Sequence, residues 1–465
     1  MAASGLMTTI WFPNPASAAT VYWDLNAETA GAGGATPTGT WNAGDMFWNP
    51  LADGTGAVAA WTAGDIAVFS AGSDATGAFT ISVDGTQSIG GLRFEEGQVT
   101  LAGGTLALAA DSELFVASGL QAAVSSLFSG NARLTKTGAG TLVLSGNSTD
   151  FTGALVLQEG TLRAVGPNTR ALGAGTLELS GGVLHLMNAG NLTFGRNTTL
   201  NASATIIADA ITAGSVDTTF TFGTLNVASA ATLTVNRGAN ITGSSIYGRA
   251  TFGATTLGGN LTLALGATSI TTLGALSESV AGRSLTLSGA SNSTSILILN
   301  GASTLTGGFV MTSGRVYASV ANSLGPSGST TTVNAGNLEL RHVNAAAGTQ
   351  LIFNNTATLS LINNGTVNWN IGGGITHNGG TLTITSGRSS STNFDLRTHT
   401  LAGGIALNGN LVLNPAQETT LVLGGVITEL SGARTLTKSG VGIARLDAAA
   451  SYSGLTTLGN GVMRL

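Results

Sequence analysis

LTKTGAGTLVLSG occupies residues 134–146, and LTKSGVGIARLD occupies residues 436–447. Lys136 and Lys438 are the chain's only two lysines, and each stands third in its copy of the phrase. In both copies apolar residues alternate with small polar ones, broken by a Gly-x-Gly step. That alternation is the pattern of a strand with one buried side, and the glycines punctuate it as a bend. Similar short alternating stretches recur throughout: Thr141–Leu144, Gly175–Leu179 and Asn260–Leu265, each soon followed by Ser, Asn or Gly at a turn. Helical periodicity is hard to find. Many short strands with frequent turns leave a sandwich, a barrel or a solenoid open.

Internal repetition chooses among the three. Thr-Phe-Gly recurs at 193–195, 221–223 and 251–253, and Gly-Gly recurs at 379–380, 403–404 and 424–425. These spacings, of some 20–30 residues, suit one coil of a β-solenoid carrying two or three short strands. Coils of that size stack their strands in parallel at about 4.8 Å per step and predict about 15–20 coils. A longer phrase overlies them. Residues 144–164 match residues 299–318 with one deletion, and both continue to a Leu-Gly step at Leu172-Gly173 and Leu324-Gly325. The openings Leu134, Leu285 and Leu436 are 151 residues apart.

This phrase resembles the passenger-associated transport repeat, also called the autotransporter-associated β-strand repeat. Residues 134–173 follow the family line through Lys136, Gly138, Gly140, Leu142, Leu144, Gly146, Asn147, Gly153, Gly160 and Leu162, with Phe151 in a Tyr position. The copy at 285–325 lacks the Lys and the Gly-x-Gly. The copy at 436–465 keeps Lys438, Gly440 and Gly442 but has Ala448-Ala449-Ala450 in place of the Gly-x-Asn turn. The resemblance implies a secreted, parallel β-helical surface protein of the kind that usually precedes an outer-membrane barrel. No barrel-like series of longer strands with aromatic girdles is present in the C-terminal third, which holds one Trp.

The first 100 residues differ in kind, with five of the six Trp: Trp11, Trp23, Trp41, Trp48 and Trp61. The expected organisation is a leader or flexible N-terminus over 1–20, an aromatic β cap over 21–100 and a solenoid over 101–465. Residues 1–20 contain Ala16-Ser17-Ala18, a signal-peptidase-like step, but no basic n-region. A solenoid needs its terminal coil covered, and indoles suit that role. The alternative for the same tryptophans is a sugar-stacking surface. At the other end, the strand Gly461–Leu465 reads as an unprotected edge with Arg464 as its one charge. Trp23, Trp41, Trp48, Trp61, Val462 and Leu465 are therefore the candidate cap or assembly residues.

Composition closes several classes. The chain is 465 residues, 43% hydrophobic and 8% charged, with net charge −5 and no cysteine. Disulfides, thiolate metal sites and a cysteine nucleophile are excluded, and no basic run exists to meet phosphate, so nucleic acid is not an expected partner. No apolar stretch approaches a membrane-spanning helix. His185, His342, His377 and His399 show no metal-ligand spacing. Asp209 and Asp217 read as loop carboxylates, and Glu95-Glu96 as a solvated edge. No catalytic, cofactor or metal constellation emerges. Each lysine is expected to carry an exposed head beside its Gly-x-Gly bend. Asn and Thr are expected to form inward ladders.

The reading is an all-β, right-handed parallel β-helix with an N-terminal β cap, at the bacterial cell surface or outside the cell. Its expected role is a non-enzymatic stalk or adhesin. Expected partners are a surface polysaccharide, another cell, or further copies of itself joined head-to-tail into fibres. The alternative is a carbohydrate-binding or carbohydrate-active β-helix.

Overall fold

The computed structural model describes residues 18–388 and 396–465. The candidate leader of residues 1–20, with Trp11, lies almost wholly outside the described residues. Those described contain 48 strands and no helix. The strands stack in parallel as a solenoid of about 18 turns, which at about 4.8 Å per turn makes a rod on the order of 85 Å long.

The coil changes shape along the chain. From Ile66–Phe69 to Leu177–Leu179 successive strands alternate between two parallel sheets, apart from the short Leu127–Ser129 strand, which precedes Leu134–Thr137 in the first sheet. A third sheet starts at Leu192–Thr193 and continues to Thr456–Leu458, so the coils from there to Leu276–Glu278 carry three sheets. The first sheet ends at Leu276–Glu278. A further sheet, Val367–Trp369 to Val462–Arg464, then follows the third in chain order as the first had done.

Each strand's alternation explains its place. In Leu261–Leu265 the leucines are buried while Thr262 and Ala264 face outward, and Leu285–Gly289 repeats the pattern one coil on. Stacking in register sets leucine upon leucine along the axis, each worth about 1.5–3 kcal/mol of burial. The Thr-Phe-Gly triplets do the same with aromatics. Phe194, Phe222 and Phe252 turn inward and stack from coil to coil at 5.9 and 4.9 Å. At the corners the backbones pack so closely that side chains do not fit. A Cβ on Gly153 would stand 1.8 Å from the carbonyl oxygen of Ala132 on the coil before.

At the N-terminal end pairing is mixed. Thr20–Trp23 pairs in parallel with Ile66–Phe69 but antiparallel with Met46–Asn49. Trp41, Trp48 and Trp61 pack on one another with centroids 4.7–4.9 Å apart, and Trp23 joins them 5.4 Å from Trp48. Trp41 and Trp48 reach Phe69, which stacks on Phe94 at 5.3 Å. All four indoles are buried, so none offers a ring face to solvent.

Candidate functional site

The two lysines do not have exposed heads. Lys136 and Lys438 are both fully buried. The strand Leu134–Thr137 turns Leu134 and Lys136 to the same inward side, so the periodicity itself carries the amine into the core. What makes this tolerable is the corner that follows. Lys136 Nζ donates to the carbonyl oxygens of Thr137 and Gly138, each at 2.7 Å, and of Glu159 at 3.2 Å on the next coil. Three ammonium hydrogens thus meet three carbonyls drawn from two coils. The glycines are part of the same corner. Gly160 has φ +69°, and a Cβ there would lie 2.4 Å from Gly138 O and 2.5 Å from Gly140 O.

The second copy repeats the arrangement. Lys438 Nζ donates to Gly440 O and, at 3.0 Å, to Asn460 O. Gly461 has φ +70°, and a Cβ there would stand 2.7 Å from Lys438 Nζ. Burial pushes the Lys136 amine down to about 8, against an opposing pull from Glu159. Burial also lowers Lys438. In the middle copy Leu287 takes the lysine's place, fully buried, and its methyl lies 3.3 Å from where a Cβ on Gly314 would sit.

The three copies start on three different sheets. Leu134–Thr137 lies in the first, Leu285–Gly289 in the second and Leu436–Lys438 in the third. Six coils along the first sheet lead from Leu134–Thr137 to Leu276–Glu278, and the next strand in the chain opens the second copy. Six coils along the second sheet lead to Ile427–Glu429, and the next strand opens the third copy. The 151-residue spacing is therefore six coils and one face. A carboxylate sits before two of the openings. Glu278 accepts from the amide of Arg283 at 2.8 Å, and Glu429 from that of Arg434 at 2.6 Å.

The remaining polar residues form separate local arrangements. Asp209 is not a loop carboxylate: it lies on the strand Ala204–Ala210, 3% exposed. Its Oδ2 meets His185 Nε2 at 3.1 Å, and its Oδ1 accepts from the amides of Ala210 and Asn240. Burial lowers His185 despite that partner. Asp217 pairs instead with Arg249 at 2.5 Å. Glu95 pairs with Arg93, while Glu96 accepts from Ala75 N and is raised by burial and by nearby Asp74 and Glu95. Ser, Thr and Asn take both sides of the wall. Thr255, Thr271 and Thr331 are buried inward, whereas the Asn334–Asn354–Asn378 ladder, with 2.8 Å steps, runs along the part-exposed rim. His377 and His399 are buried in the core and lowered by burial. Among the described residues no three His, Asp or Glu side chains gather as a metal site, and no helix is long and apolar enough to cross a membrane. On the last coil Val462 is 46% and Leu465 90% exposed.

These corners coincide with the regions that a family model recognises. The passenger-associated-transport-repeat model matches residues 134–164 and 436–465. This chain carries passenger-associated transport repeats. The matched segments are the two that hold a lysine corner. Over 150 residues the chain is also 34% identical to the adhesin BmaC autotransporter of Brucella suis biovar 1 (strain 1330). That stretch is 32% of this chain and 4% of the relative, so the chain spans a small part of the relative's length. No solved structure matches.

Proposed function

We propose that the chain is part of a surface-displayed or secreted passenger whose solenoid acts as an adhesive stalk. The observation that carries this reading is the lysine corner, repeated at both family-matched segments on a rod of regular, weakly charged coils. The similarity to an autotransporter adhesin supports it. The coils hold their own register through backbone ladders, and the outer rows display Thr, Asn and Ser for contact. The buried indole cluster serves as the N-terminal lid of the stack, and the role requires no catalytic chemistry.

Beads coated with the chain should adhere to epithelial cells or to bacteria above the level of beads coated with an unrelated β-solenoid. Equal adhesion would sink the adhesive reading. Turnover of a polysaccharide in a broad substrate screen would sink the non-enzymatic one.

A second reading, head-to-tail association, rests on the last coil, where Leu455, Leu458, Val462 and Leu465 are exposed beside the strand Val462–Arg464. Such an edge accepts a further coil, from the same polypeptide or from another copy. Electron microscopy of the purified chain separates the two: filaments support association, and monodisperse rods of single-chain length exclude it.

A further inference from the structure

One ion cluster on the third sheet departs from the others in its charge count. Glu339, 2% exposed, holds two arginines, with Arg315 Nη2 at 2.5 Å and Arg341 Nε at 2.6 Å. In other ion pairs among the described residues arginine is matched singly, as in Arg133–Glu178, Arg249–Asp217 and Arg445–Asp447, or outnumbered, as Arg93 is by Glu95 and Glu113. The flanking strands Ser295–Leu299 and Ala357–Ile362 contain no acid. The cluster thus keeps one uncompensated positive charge on a chain whose net charge is −5.

The geometry fixes these groups in advance of any ligand. Tyr317 and Glu339 are register partners on adjacent coils. Arg315 lies two residues before Tyr317, and Arg341 two after Glu339. The Arg341 guanidinium carbon sits 3.5 Å from the Tyr317 ring centroid and that of Arg315 at 5.0 Å. The buried carboxylate and the ring hold both side chains still. With its Nε engaged, Arg341 keeps its two Nη groups without a protein partner among the described residues, on a side chain 40% exposed. That end-on fork matches the two oxygens of a carboxylate or sulfate.

The register row of Arg315 continues along the rod into an uncharged cavity. Asn337 is the register partner of Arg315, and Thr358 and Thr383 follow on the next two coils. Together with Asn292 and Ser293 they line a cavity of about 410 Å³ that has no charged wall. From Arg315 to Thr383 is three coil steps, about 14 Å, the span of roughly three sugar units. Ser360 donates to Asn337 Oδ1 at 2.9 Å, which aims the Asn337 amide group.

We propose that this is a binding site for an acidic polysaccharide, and the proposal rests on the adhesive reading above. An oxyanion of one sugar sits on Arg341 beside Arg315, and the neutral hydroxyls of its neighbours lie along Asn337, Thr358 and Thr383. The test is binding of heparin oligosaccharide (sulfate and carboxylate), oligogalacturonate (carboxylate alone) and dextran (neutral) to the intact chain. At least one acidic probe should bind in preference to dextran. Its affinity should fall at least tenfold in Arg341→Gln, less in Arg341→Lys, and not at all in Arg445→Gln. Asn337→Asp, which adds a like charge to the cavity and leaves the arginines in place, should weaken it too. Absence of acidic binding, or equal loss with Arg445→Gln, overturns the proposal. Acidic-sugar binding by a chain that fails to adhere removes the adhesive reading and leaves the site. Adhesion and sugar binding both unchanged in Arg341→Gln remove the site and leave the adhesive reading.

Discussion

The first and middle copies of the repeated phrase fill the same corner in opposite ways. At Lys136 an ammonium enters the core and satisfies carbonyls of two coils; at Leu287 a methyl group fills the corresponding place without a hydrogen bond. The surrounding glycines follow suit. A Cβ on Gly160 would meet the Gly138 and Gly140 carbonyls at 2.4 and 2.5 Å, whereas the nearest contact for a Cβ on Gly314 is Ser295 O at 3.2 Å. A solenoid corner can thus be closed tightly around a cation or loosely around an alkyl group. The tight version needs the Gly-x-Gly step, because only close carbonyls repay the desolvation of a buried charge.

The largest break in this comparison should come from Lys136→Met, which leaves buried carbonyls unpaired and should cost about 3 kcal/mol in denaturant unfolding. Leu287→Met, a change of similar size, should cost under about 1.5 kcal/mol. Equal losses would mean that the ammonium contributes nothing specific. Next, Gly160→Ala should destabilise by about 2–3 kcal/mol through left-handed strain and a carbonyl clash, and Gly314→Ala by about 1 kcal/mol through strain alone. Limited proteolysis across each corner would rank the two, and the reverse order would refute the contact argument. A separate break is one of pH. Above about pH 8 the folded chain gives up the Lys136 proton, while the unfolded chain keeps it to about 10.5. The unfolded state then binds more protons, so stability rises with pH across that window. The wild type should gain on Lys136→Met between pH 8 and 10.5. A flat difference would show that the ammonium titrates at its ordinary value.

Much of the architecture was legible because inward and outward alternation is local. Leu261, Leu263 and Leu265 announce their side within five residues, and the Thr-Phe-Gly spacing announces the coil. The lysine's fate was not legible, though its place in the alternation pointed inward. Its acceptors are backbone oxygens, one of them 23 residues away at Glu159, and sequence marks carbonyls only through the glycines that let them approach. The Arg315–Glu339–Arg341 cluster was missed for a related reason. Arg315 and Glu339 are 24 residues apart, which is one coil, and searching for opposite charges at that interval would have found them. His185 and Asp209 share the same 24-residue offset. The tryptophans stand apart in the sequence as a group, but their burial follows from contacts among four separate segments that no single window contains.

The six-coils-and-one-face spacing has a further consequence. Each copy of the phrase begins one sheet further around the coil than the copy before, so any feature tied to the phrase advances like a thread on a screw. A longer array built on this interval would show the same motif to every direction in turn, and a stalk of that kind would touch a flat surface equally well however it rolled.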